Sequence, residues 1–565
     1  MASARDVEPL LLHTLMDRAA RLQPDNLIVT RIQNGYHQRT YAEHQVRTYQ
    51  LANALAKRGM KIGDVVGTLM WNNARHLEAY HALSCMGTVL HTLNLRLSPS
   101  ELAYIILHAG DKGVIVDANL LKLLEQVDKE ALAKLEFIVV CADNEGTGGW
   151  TSTLPNTVDY EDLIRDQPTT FKWPSIPEHS IHALCYTSGT TGKAKGAAYS
   201  QRSTYLHTLV SSGADQLGIT GYHTVMPVVP MFHVLSWGVP FVLLMSGSRL
   251  VFNNHFMDPA SLLQIMEDWK VNFSTGVPTI WQGVRAAAEQ KYKGKMGELK
   301  AKMQLQYLTC GGSAPPKEMM QWYLDTMGVE FIQGWGMTET NPLGSIGRTL
   351  IKHKDMAKTP QERFEGVCKA GIPVPIMEYR LANPENLDED VPHGQQGELL
   401  VKGPTIISEY FKQDASVAAE KFHKGYLITG DVVRVDEEGA FIICDRSKDV
   451  IKSGGEWISS IDMENQITEL PEVSMSCVVA MPHPKWDERP VALVQLADPS
   501  KAEGIHDRVC KHLSTKWAKY QLPEDTIVVE AIPLTTTGKM DKKVVRGKLQ
   551  GDGYVLPSLR PQAKL

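Results

Sequence analysis

The chain has 565 residues, of which 43% are hydrophobic, and a formal net charge of −6. Because single hydrophobic cores stop growing near ~250–300 residues, this length predicts more than one core. The net charge gives no electrostatic basis for nucleic-acid binding, and no stretch approaches the ~18 apolar residues of a membrane span. The eight cysteines include no Cys-x-x-Cys pair, and the first residues lack the order of a secretory signal. We therefore expect a soluble, intracellular protein with reduced thiols.

Helical and strand-like runs alternate in the first half of the chain. Residues 63–70 predict a turn and a strand, residues 76–86 a helix, and residues 114–116 a short strand. The same alternation returns between residues 224 and 275, where residues 234–245 are typical of a helix. Alternation of this kind favours an α/β fold with mostly parallel sheets.

A loop rich in glycine and threonine lies between a predicted strand, residues 181–186, and a predicted helix, residues 204–211. Its glycines leave backbone amides free to turn toward an anion, and its hydroxyls and lysine add donors and charge. The loop lacks the Gly-Lys-Ser/Thr ending of a Walker motif, which argues against an ordinary nucleotide hydrolase. The alternative is an inert linker. The residues that suit a polyphosphate are Thr187, Ser188, Gly189, Thr190, Thr191, Gly192 and Lys195.

A second loop, residues 333–340, follows an apolar run and reads Gln-Gly-Trp-Gly-Met-Thr-Glu-Thr. A carboxylate at Glu339 beside the hydroxyl of Thr338 suits Mg²⁺, a hard ion held by oxygen ligands and substrate phosphates. Trp335, between two glycines, is placed to stack on a purine. The alternative is a buried tryptophan in a glycine turn beside an exposed glutamate.

A domain boundary is predicted where the chain reads Asp-Arg-Ser-Lys-Asp at residues 445–449. Residues 432–444 alternate like a hairpin, whereas helical and strand-like segments beyond residue 460 make up a compact α+β unit. We therefore predict an N-terminal domain of residues 1–445 and a C-terminal domain of residues 446–565. The C-terminal unit has an ordinary size for a domain.

In their order along the chain, these motifs resemble those of the adenylate-forming superfamily, which includes acyl-CoA synthetases, peptide-synthetase adenylation domains and beetle luciferases. The resemblance extends from about residue 40 to residue 543. It departs at Ala194, where the family usually has proline, and at Trp335, where tyrosine is commoner. Four further strings carry it: Leu308-Thr-Cys-Gly-Gly-Ser-Ala-Pro315, Thr429-Gly-Asp431, Asp445-Arg-Ser-Lys-Asp-Val-Ile-Lys452 with Ser-Gly-Gly-Glu-Trp457, and Pro533-Leu-Thr-Thr-Thr-Gly-Lys539.

The resemblance implies a fold and a set of site residues. The fold is a large N-terminal domain of mostly parallel sheets with flanking helices and a small β-barrel-like part, joined to a small mobile α+β C-terminal domain. The metal ligands are Thr187 and Glu339. The residues implied in catalysis are Lys539, His233, Glu339, Arg446 and Lys448. Those implied in the nucleotide pocket, besides the phosphate loop, are Gly312, Ser313, Gln333, Gly334, Trp335, Gly336, Thr338, Asp431, Lys452 and Trp457.

The implied activity is a two-step ligation that uses ATP, Mg²⁺ and CoA. The carboxylate of an acid attacks the α-phosphate to give an acyl-adenylate and pyrophosphate, and the CoA thiol then displaces AMP. Trp237 corresponds to the gate tryptophan of long-chain fatty acyl-CoA synthetases, so a medium- to long-chain fatty acid is the first expectation. Alternatives are a short acid such as 3-methylthiopropionate, with Trp237 as a pocket cap, a carrier-loading adenylation enzyme, a luciferase-like oxygenase and an inactive nucleotide-binding scaffold.

The last three residues, Ala-Lys-Leu, resemble the Ser-Lys-Leu type of peroxisomal address. In a eukaryote they predict a peroxisomal location and an import receptor as partner; otherwise a cytoplasmic location is expected. The alternative is a chance tripeptide. A homodimer is expected by resemblance alone, because long-chain relatives dimerise through their N-terminal domains.

Overall fold

The computed structural model describes residues 8–142, 148–187, 193–348, 358–413, 420–453, 456–535 and 539–560. Part of the predicted phosphate loop lies outside these ranges: Ser188, Gly189, Thr190, Thr191 and Gly192. The Ala-Lys-Leu tripeptide also lies outside them. No helix in the described ranges is both long enough and apolar enough to cross a membrane.

Two mostly parallel sheets, counted over the described residues, confirm the predicted α/β fold. The seven-stranded sheet has the spatial order Thr157–Asp159, Phe137–Cys141, Asp111–Asp117, Val65–Leu69, Val89–Thr92, Ile181–Thr187 and Lys195–Ser200. The nine-stranded sheet has the spatial order Ile372–Pro373, Leu343–Gly347, Glu330–Gly336, Tyr307–Cys310, Phe273–Gly276, Thr224–Pro227, Arg249–Phe252, Leu27–Ile32 and Gly35–Thr40. Antiparallel pairing occurs only near the edges of these described sheets, at Lys195–Ser200, Gly35–Thr40, Leu343–Gly347 and Ile372–Pro373.

Helices flank both sheets and fill the connections between their strands. Several start at side-chain caps; Ser98, for example, forms a capping box with Glu101, as the sequence pattern indicates. The α-helices described before residue 400 are His13–Leu22, Tyr41–Lys57, Ala74–Cys85, Pro99–Ala109, Leu121–Glu125, Lys129–Leu132, Tyr160–Ile164, Gln201–Ser211, Val239–Ser246, Pro259–Trp269, Pro278–Lys291, Met296–Lys302, Lys317–Met327 and Pro360–Val367.

A third sheet is antiparallel throughout its described strands and forms the barrel-like part. Its spatial order is Asn386–Asp390, Glu378–Asn383, Gln396–Lys402, Tyr426–Val435 and Phe422–His423, with Phe441–Arg446 also paired to Tyr426–Val435. Its apolar core includes Leu399, Val433 and Phe441 and also takes in Trp335, which ends a strand of the nine-stranded sheet. The nucleotide motif at Trp335 therefore lies where two sheets meet.

The C-terminal residues form an α+β unit, as predicted. Its strands are ordered Glu456–Ile458, Ile451–Ser453, Asp487–Leu496 and Val473–His483, with Asp525–Val528 parallel to Asp487–Leu496. Its described α-helices are Ser460–Ile467, Ile505–Leu513 and Lys542–Gly551. The boundary predicted after residue 445 falls one residue before the end of the strand Phe441–Arg446, and it stays a prediction.

The strand and the helix predicted on either side of the phosphate loop are confirmed, and a further strand lies between the loop and the helix. Thr187 and Lys195 are paired residues of an antiparallel hairpin whose second strand precedes the helix Gln201–Ser211. One local prediction is wrong, because residues 234–245 are not one helix. Val234–Trp237 is a left-handed turn with φ between 47° and 57°, followed by Gly238 at φ 72° and a right-handed helix.

The left-handed turn has a tertiary cause. The Ser236 hydroxyl donates to the carbonyl of Val229 at 2.7 Å, which ties the turn to the chain beyond the strand Thr224–Pro227. Left-handed helical geometry costs about 1–2 kcal/mol per non-glycine residue, so contacts of this kind have to offset it. Consequently His233 and Trp237 are not neighbours on one face of a right-handed helix.

Candidate active site

A cavity of about 1100 Å³ lies between the parallel sheets, the barrel-like sheet and the C-terminal unit. Carboxyl ends of parallel strands contribute Thr187, Thr275, Thr309 and Gln333 to its wall. Ligands of α/β proteins bind at such strand ends, and pockets for one small molecule commonly measure ~300–1,000 Å³. The cavity therefore lies at the strand ends where a ligand is expected, and its volume is at the upper end of the range for one small molecule.

On its phosphate side, the cavity is lined by Thr187 and Lys195. The Lys195 ammonium lies 5.3 Å from the centre of the Tyr410 ring, within the range of a cation–π contact. The Tyr410 hydroxyl donates to Oε1 of Glu339 at 2.6 Å. Burial, and then the charge of Glu339, raise the pKa of Tyr410, so its hydroxyl stays protonated. Tyr410 thus connects the phosphate-side lysine to the acidic residue of the second motif.

Glu339 is buried, with 7% of its surface exposed, yet it lines the cavity. The carbonyl of Glu339 accepts from the Ile407 amide at 2.9 Å, and the carbonyl of Thr338 accepts from the Tyr199 hydroxyl at 2.6 Å. These bonds fix the turn on which the carboxylate sits. A carboxylate together with the Thr187 hydroxyl is a donor set that fits Mg²⁺, which usually takes one or two protein ligands plus water and substrate phosphates.

Asp431 is the acidic residue at the barrel side of the cavity. It is 3% exposed, and its two oxygens have different partners. Oδ1 lies 2.9 Å from Nε of Arg446, and Oδ2 accepts from the indole N–H of Trp335 at 2.9 Å. Asp431 and Arg446 are also paired residues of adjacent strands. The sequence grouped Asp431, Arg446 and Trp335 around a nucleotide, and the structure brings all three together.

Lys539 reaches this group from the C-terminal unit. A Cβ atom placed on Gly312 would lie 3.2 Å from Cε of Lys539, so the lysine chain runs directly over that glycine. Burial, and then the charge of Arg446, lower the pKa of Lys539 to about 8, although Asp431 and Glu339 act in the opposite direction. Lys539, Asp431 and Glu339 all line the cavity, and the charges of the two carboxylates act on the lysine.

The side of the cavity assigned to the acid carries His233 and Trp237. Burial, and then the charges of Lys539 and Arg96, lower the pKa of His233 to about 3, so its imidazole is neutral. A Cβ atom placed on Gly311 would lie 3.1 Å from Cη2 of Trp237. The indole therefore covers the backbone of Gly311, next to the glycine over which Lys539 runs.

The remaining predicted site residues divide into two groups. Lys448 lines the cavity, as do Gly312, Ser313, Gln333, Gly334, Gly336 and Thr338. Lys452 and Trp457 are not among its lining residues. The Trp457 ring packs near Val432, and the ammonium of the exposed Lys452 lies 5.9 Å from that ring. The predicted nucleotide contact of these two residues stays a prediction.

Among the cavity residues that the sequence motifs do not single out are three that form polar contacts at the site: Tyr410, Lys542 and Glu464. Tyr410 stands in no recognisable motif, and its bond to Glu339 spans 71 residues. Lys542 and Glu464 also line the cavity and pair at 2.8 Å. Burial raises the pKa of Glu464 to about 7 against the opposing charge of Lys542. Nearby, Asp445 accepts from the Ser460 amide at 2.7 Å, so this ionic cluster joins the barrel-like sheet to the C-terminal unit.

This fold and this cavity define an enzyme that places a nucleotide beside a second substrate. The chain belongs to the AMP-binding enzyme family, whose model matches residues 16–411. The model of the AMP-binding enzyme C-terminal domain matches residues 462–539. The resemblance noted in the motifs is thereby confirmed.

Among curated proteins, the chain is 37% identical to a 3-methylmercaptopropionyl-CoA ligase of Ruegeria lacuscaerulensis, covering 96% of this chain and 98% of that one. It is 36% identical to a medium-chain-fatty-acid–CoA ligase of Ectopseudomonas oleovorans, covering 95% and 96%. It is 38% identical to a long-chain-fatty-acid–CoA ligase of Thermus thermophilus, covering 95% of each. Among solved structures, an anthranilate CoA ligase in complex with anthranoyl-AMP has a TM-score of 0.82 at 23% identity, covering 97% of this chain and 99% of that one.

Proposed function

We propose that the protein is an AMP-forming acid–CoA ligase whose substrate is a medium- to long-chain fatty acid. The observation that carries this proposal is the meeting of Lys539 with Asp431, Arg446 and Glu339 in one cavity. A lysine and an arginine that line one cavity with two carboxylates suit the transfer of an adenylyl group. Curated relatives of similar length that carry CoA-ligase names support the same reaction class.

In the first step, the acid's carboxylate attacks the α-phosphate of ATP and pyrophosphate leaves. The Lys539 ammonium stabilises the charge that develops on the α-phosphate oxygens, because a fixed donor is worth more in a site closed to water. The neutral imidazole of His233 donates a hydrogen bond to the carboxylate. The phosphate loop, with Thr187 at its start and Lys195 at its end, binds the β- and γ-phosphates. Asp431 accepts hydrogen bonds from the ribose hydroxyls.

Mg²⁺ fits the site through the Glu339 carboxylate and the Thr187 hydroxyl. When bound, it offsets the charge of the ATP phosphates and polarises the bond that breaks. Tyr410 keeps Glu339 turned into the cavity through the 2.6 Å hydrogen bond from its hydroxyl.

In the second step, the CoA thiol attacks the acyl-adenylate and AMP leaves. We propose that the C-terminal unit rotates about Lys448, withdrawing Lys539 and bringing the residues 454–456 toward the adenylate. Hinge closure of one domain on another is a known way to assemble two sites in turn. Lys448 lies two residues beyond the end of the strand Phe441–Arg446, where the chain leaves the barrel-like sheet.

The identity of the acid rests on Trp237 and on the relatives. A fatty-acid substrate is supported by the position of Trp237 against Gly311 in the cavity wall, where a gate tryptophan is expected by resemblance. The second candidate is a short acid such as 3-methylthiopropionate, and the specific observation in its favour is the 37% identity to a 3-methylmercaptopropionyl-CoA ligase. With that substrate, Trp237 is the cap of a small pocket.

The experiment that tests the reaction class is acid-dependent exchange of labelled pyrophosphate into ATP without CoA. The proposal predicts exchange only when acid and ATP are both present, and release of AMP with acyl-CoA once CoA is added. Exchange without any acyl-CoA would favour a carrier-loading enzyme, and the absence of exchange with every acid would favour an inactive scaffold. Light emission with a luciferin and oxygen would favour the oxygenase alternative.

We further propose a peroxisomal location in a eukaryotic cell, through recognition of the Ala-Lys-Leu tripeptide by an import receptor. A fluorescent reporter carrying the last dozen residues should enter peroxisomes, whereas a diffuse signal would refute the address. A homodimer is proposed from the long-chain relatives, and light scattering at micromolar concentration decides it.

A further inference from the structure

The indole of Trp335 makes a contact that stacking on a base does not require. Its N–H donates to Oδ2 of Asp431 at 2.9 Å, while Arg446 Nε lies 2.9 Å from Oδ1. Asp431 is 3% exposed, so little of its hydration remains. Each carboxylate oxygen accepts from one protein donor and retains a second lone pair. The carboxylate is thereby held in one orientation from both sides.

The Trp335 ring that supplies this donor is itself immobilised. It is 9% exposed and lies in the core of the barrel-like sheet. A Cβ atom placed on Gly344 would lie 2.3 Å from its Cζ3 atom, so one part of the ring rests on bare backbone. The Phe441 ring meets it edge-on, with centroids 6.1 Å apart and planes at 75°. A donor fixed in this way loses little further freedom when a ligand binds.

We propose that Trp335 is a positioning residue for ribose recognition, whose indole N–H orients the Asp431 carboxylate toward the 2′- and 3′-hydroxyls. The inference rests on the proposed function and assigns to Trp335 a role separate from contact with the base. A phenylalanine ring has no N–H at this point and no other donor. Replacement by phenylalanine therefore frees Oδ2 of Asp431 while an aromatic surface is kept.

Trp335→Phe isolates this contribution in a binding measurement that needs no turnover. Affinities for AMP and for 2′,3′-dideoxy-AMP are measured by titration calorimetry on the full chain. Because hydrogen bonds to charged groups contribute roughly twice as much as neutral ones, we expect the affinity for AMP to fall about 10-fold. The affinity for the dideoxy nucleotide, which has no hydroxyls for Asp431, should change less than about twofold, since it depends on base and phosphate contacts.

Two further variants separate positioning from structure. Phe441→Leu alters the packing around the same ring without touching a polar atom, so it should leave the ratio of the two affinities unchanged. In an Asp431→Asn background, Trp335→Phe should cause no further change in that ratio. If Trp335→Phe does not fold, as judged by circular dichroism, Trp335→Leu is used; it also lacks a donor and should lower the ratio in the same way.

An equal loss of affinity for both nucleotides would overturn the inference, because the ring would then act through the base or the fold alone. Unchanged affinity for both would overturn it as well, since Asp431 would be oriented without the indole. Failure of the proposed function is distinguishable, because the unmodified protein would then show no acid-dependent pyrophosphate exchange or no acyl-CoA formation, whatever its affinities for the two nucleotides.

Discussion

Lys539 is the residue on which the first half-reaction depends. Lys539→Ala removes the ammonium that lies over Gly312 near Asp431 and Glu339. Loss of one preorganised donor of this kind costs about 100- to 1,000-fold in rate, so acyl-adenylate formation should fall by that factor. Thioester formation from supplied acyl-adenylate should be nearly unchanged. Lys548→Ala, an exposed lysine on the following helix, is the control and should affect neither step. Equal loss in both half-reactions would refute the assignment.

The lowered pKa of Lys539 gives a pH dependence with a definite sign. Because the pKa is lowered to about 8, the free enzyme loses the ammonium as the pH rises through that value. The kcat/KM for ATP in the adenylation assay should therefore fall above about pH 8. Lys539→Arg keeps its charge at every accessible pH, so its residual activity should lack this alkaline limb. If kcat/KM of the arginine variant still falls at alkaline pH, a group other than Lys539 causes the pH dependence.

At the scale of elements, the left-handed turn Val234–Trp237 and Gly238 hold Trp237 in place. A Cβ atom on Gly238 would lie 2.6 Å from the His207 ring, and the residue has φ 72°. Gly238→Ala should therefore cost more than the about 1–2 kcal/mol of left-handed geometry alone, measured as the free energy of unfolding in urea. It should also raise the KM for the acid by displacing Trp237.

Gly439→Ala is the matched control for that substitution. Gly439 has φ 84° and open space around its Cβ position, so only the backbone cost applies. Equal losses of stability for the two variants, with an unchanged KM for the acid, would show that contact between Gly238 and His207 does not position Trp237.

The elements that the sequence predicts well are those set by local pattern. Strand and helix alternation gives the α/β architecture, and the capping box at Ser98 is formed as expected. The left-handed turn could not be predicted, because the Ser236 hydroxyl reaches a carbonyl seven residues earlier only in the folded chain. Periodicity alone favours a right-handed helix there. The hairpin after Thr187 was not predicted either, because the sequence of its short second strand, Lys195–Ser200, is similar to that of a loop.

At the site, ordered motifs named Asp431, Arg446, Glu339 and Lys539, and all four line the cavity, while their roles stay predictions. Tyr410 could not be found in this way, because its link to Glu339 depends on tertiary contact over 71 residues. The motif that contains Lys452 and Trp457 does not indicate in which orientation of the C-terminal unit these residues contact the nucleotide. Their absence from the cavity lining is thus compatible with a role after rotation, which stays a prediction.

In the whole molecule, the proposed second half-reaction requires the C-terminal unit to rotate about Lys448. Lys448→Pro restricts the backbone at the proposed pivot, since proline fixes φ near about −65°. Acid-dependent pyrophosphate exchange should remain close to normal, whereas acyl-CoA formation should fall strongly. Lys448→Ala, which keeps backbone freedom, is the control and should retain most of the overall turnover. Normal acyl-CoA formation by the proline variant would remove Lys448 as the pivot.

Pyrophosphate release with Mg·ATP and CoA tests directly whether the protein is a fatty-acid–CoA ligase. It is measured across a panel of acids, from propionate and 3-methylthiopropionate to palmitate and coumarate. AMP and acyl-CoA are quantified in the same samples. We predict equal amounts of pyrophosphate, AMP and acyl-CoA, with the highest kcat/KM among the medium- and long-chain acids. A maximum of kcat/KM at the short acids would support the ligase activity and contradict the fatty-acid assignment. Absence of pyrophosphate release with every acid would contradict the ligase activity itself.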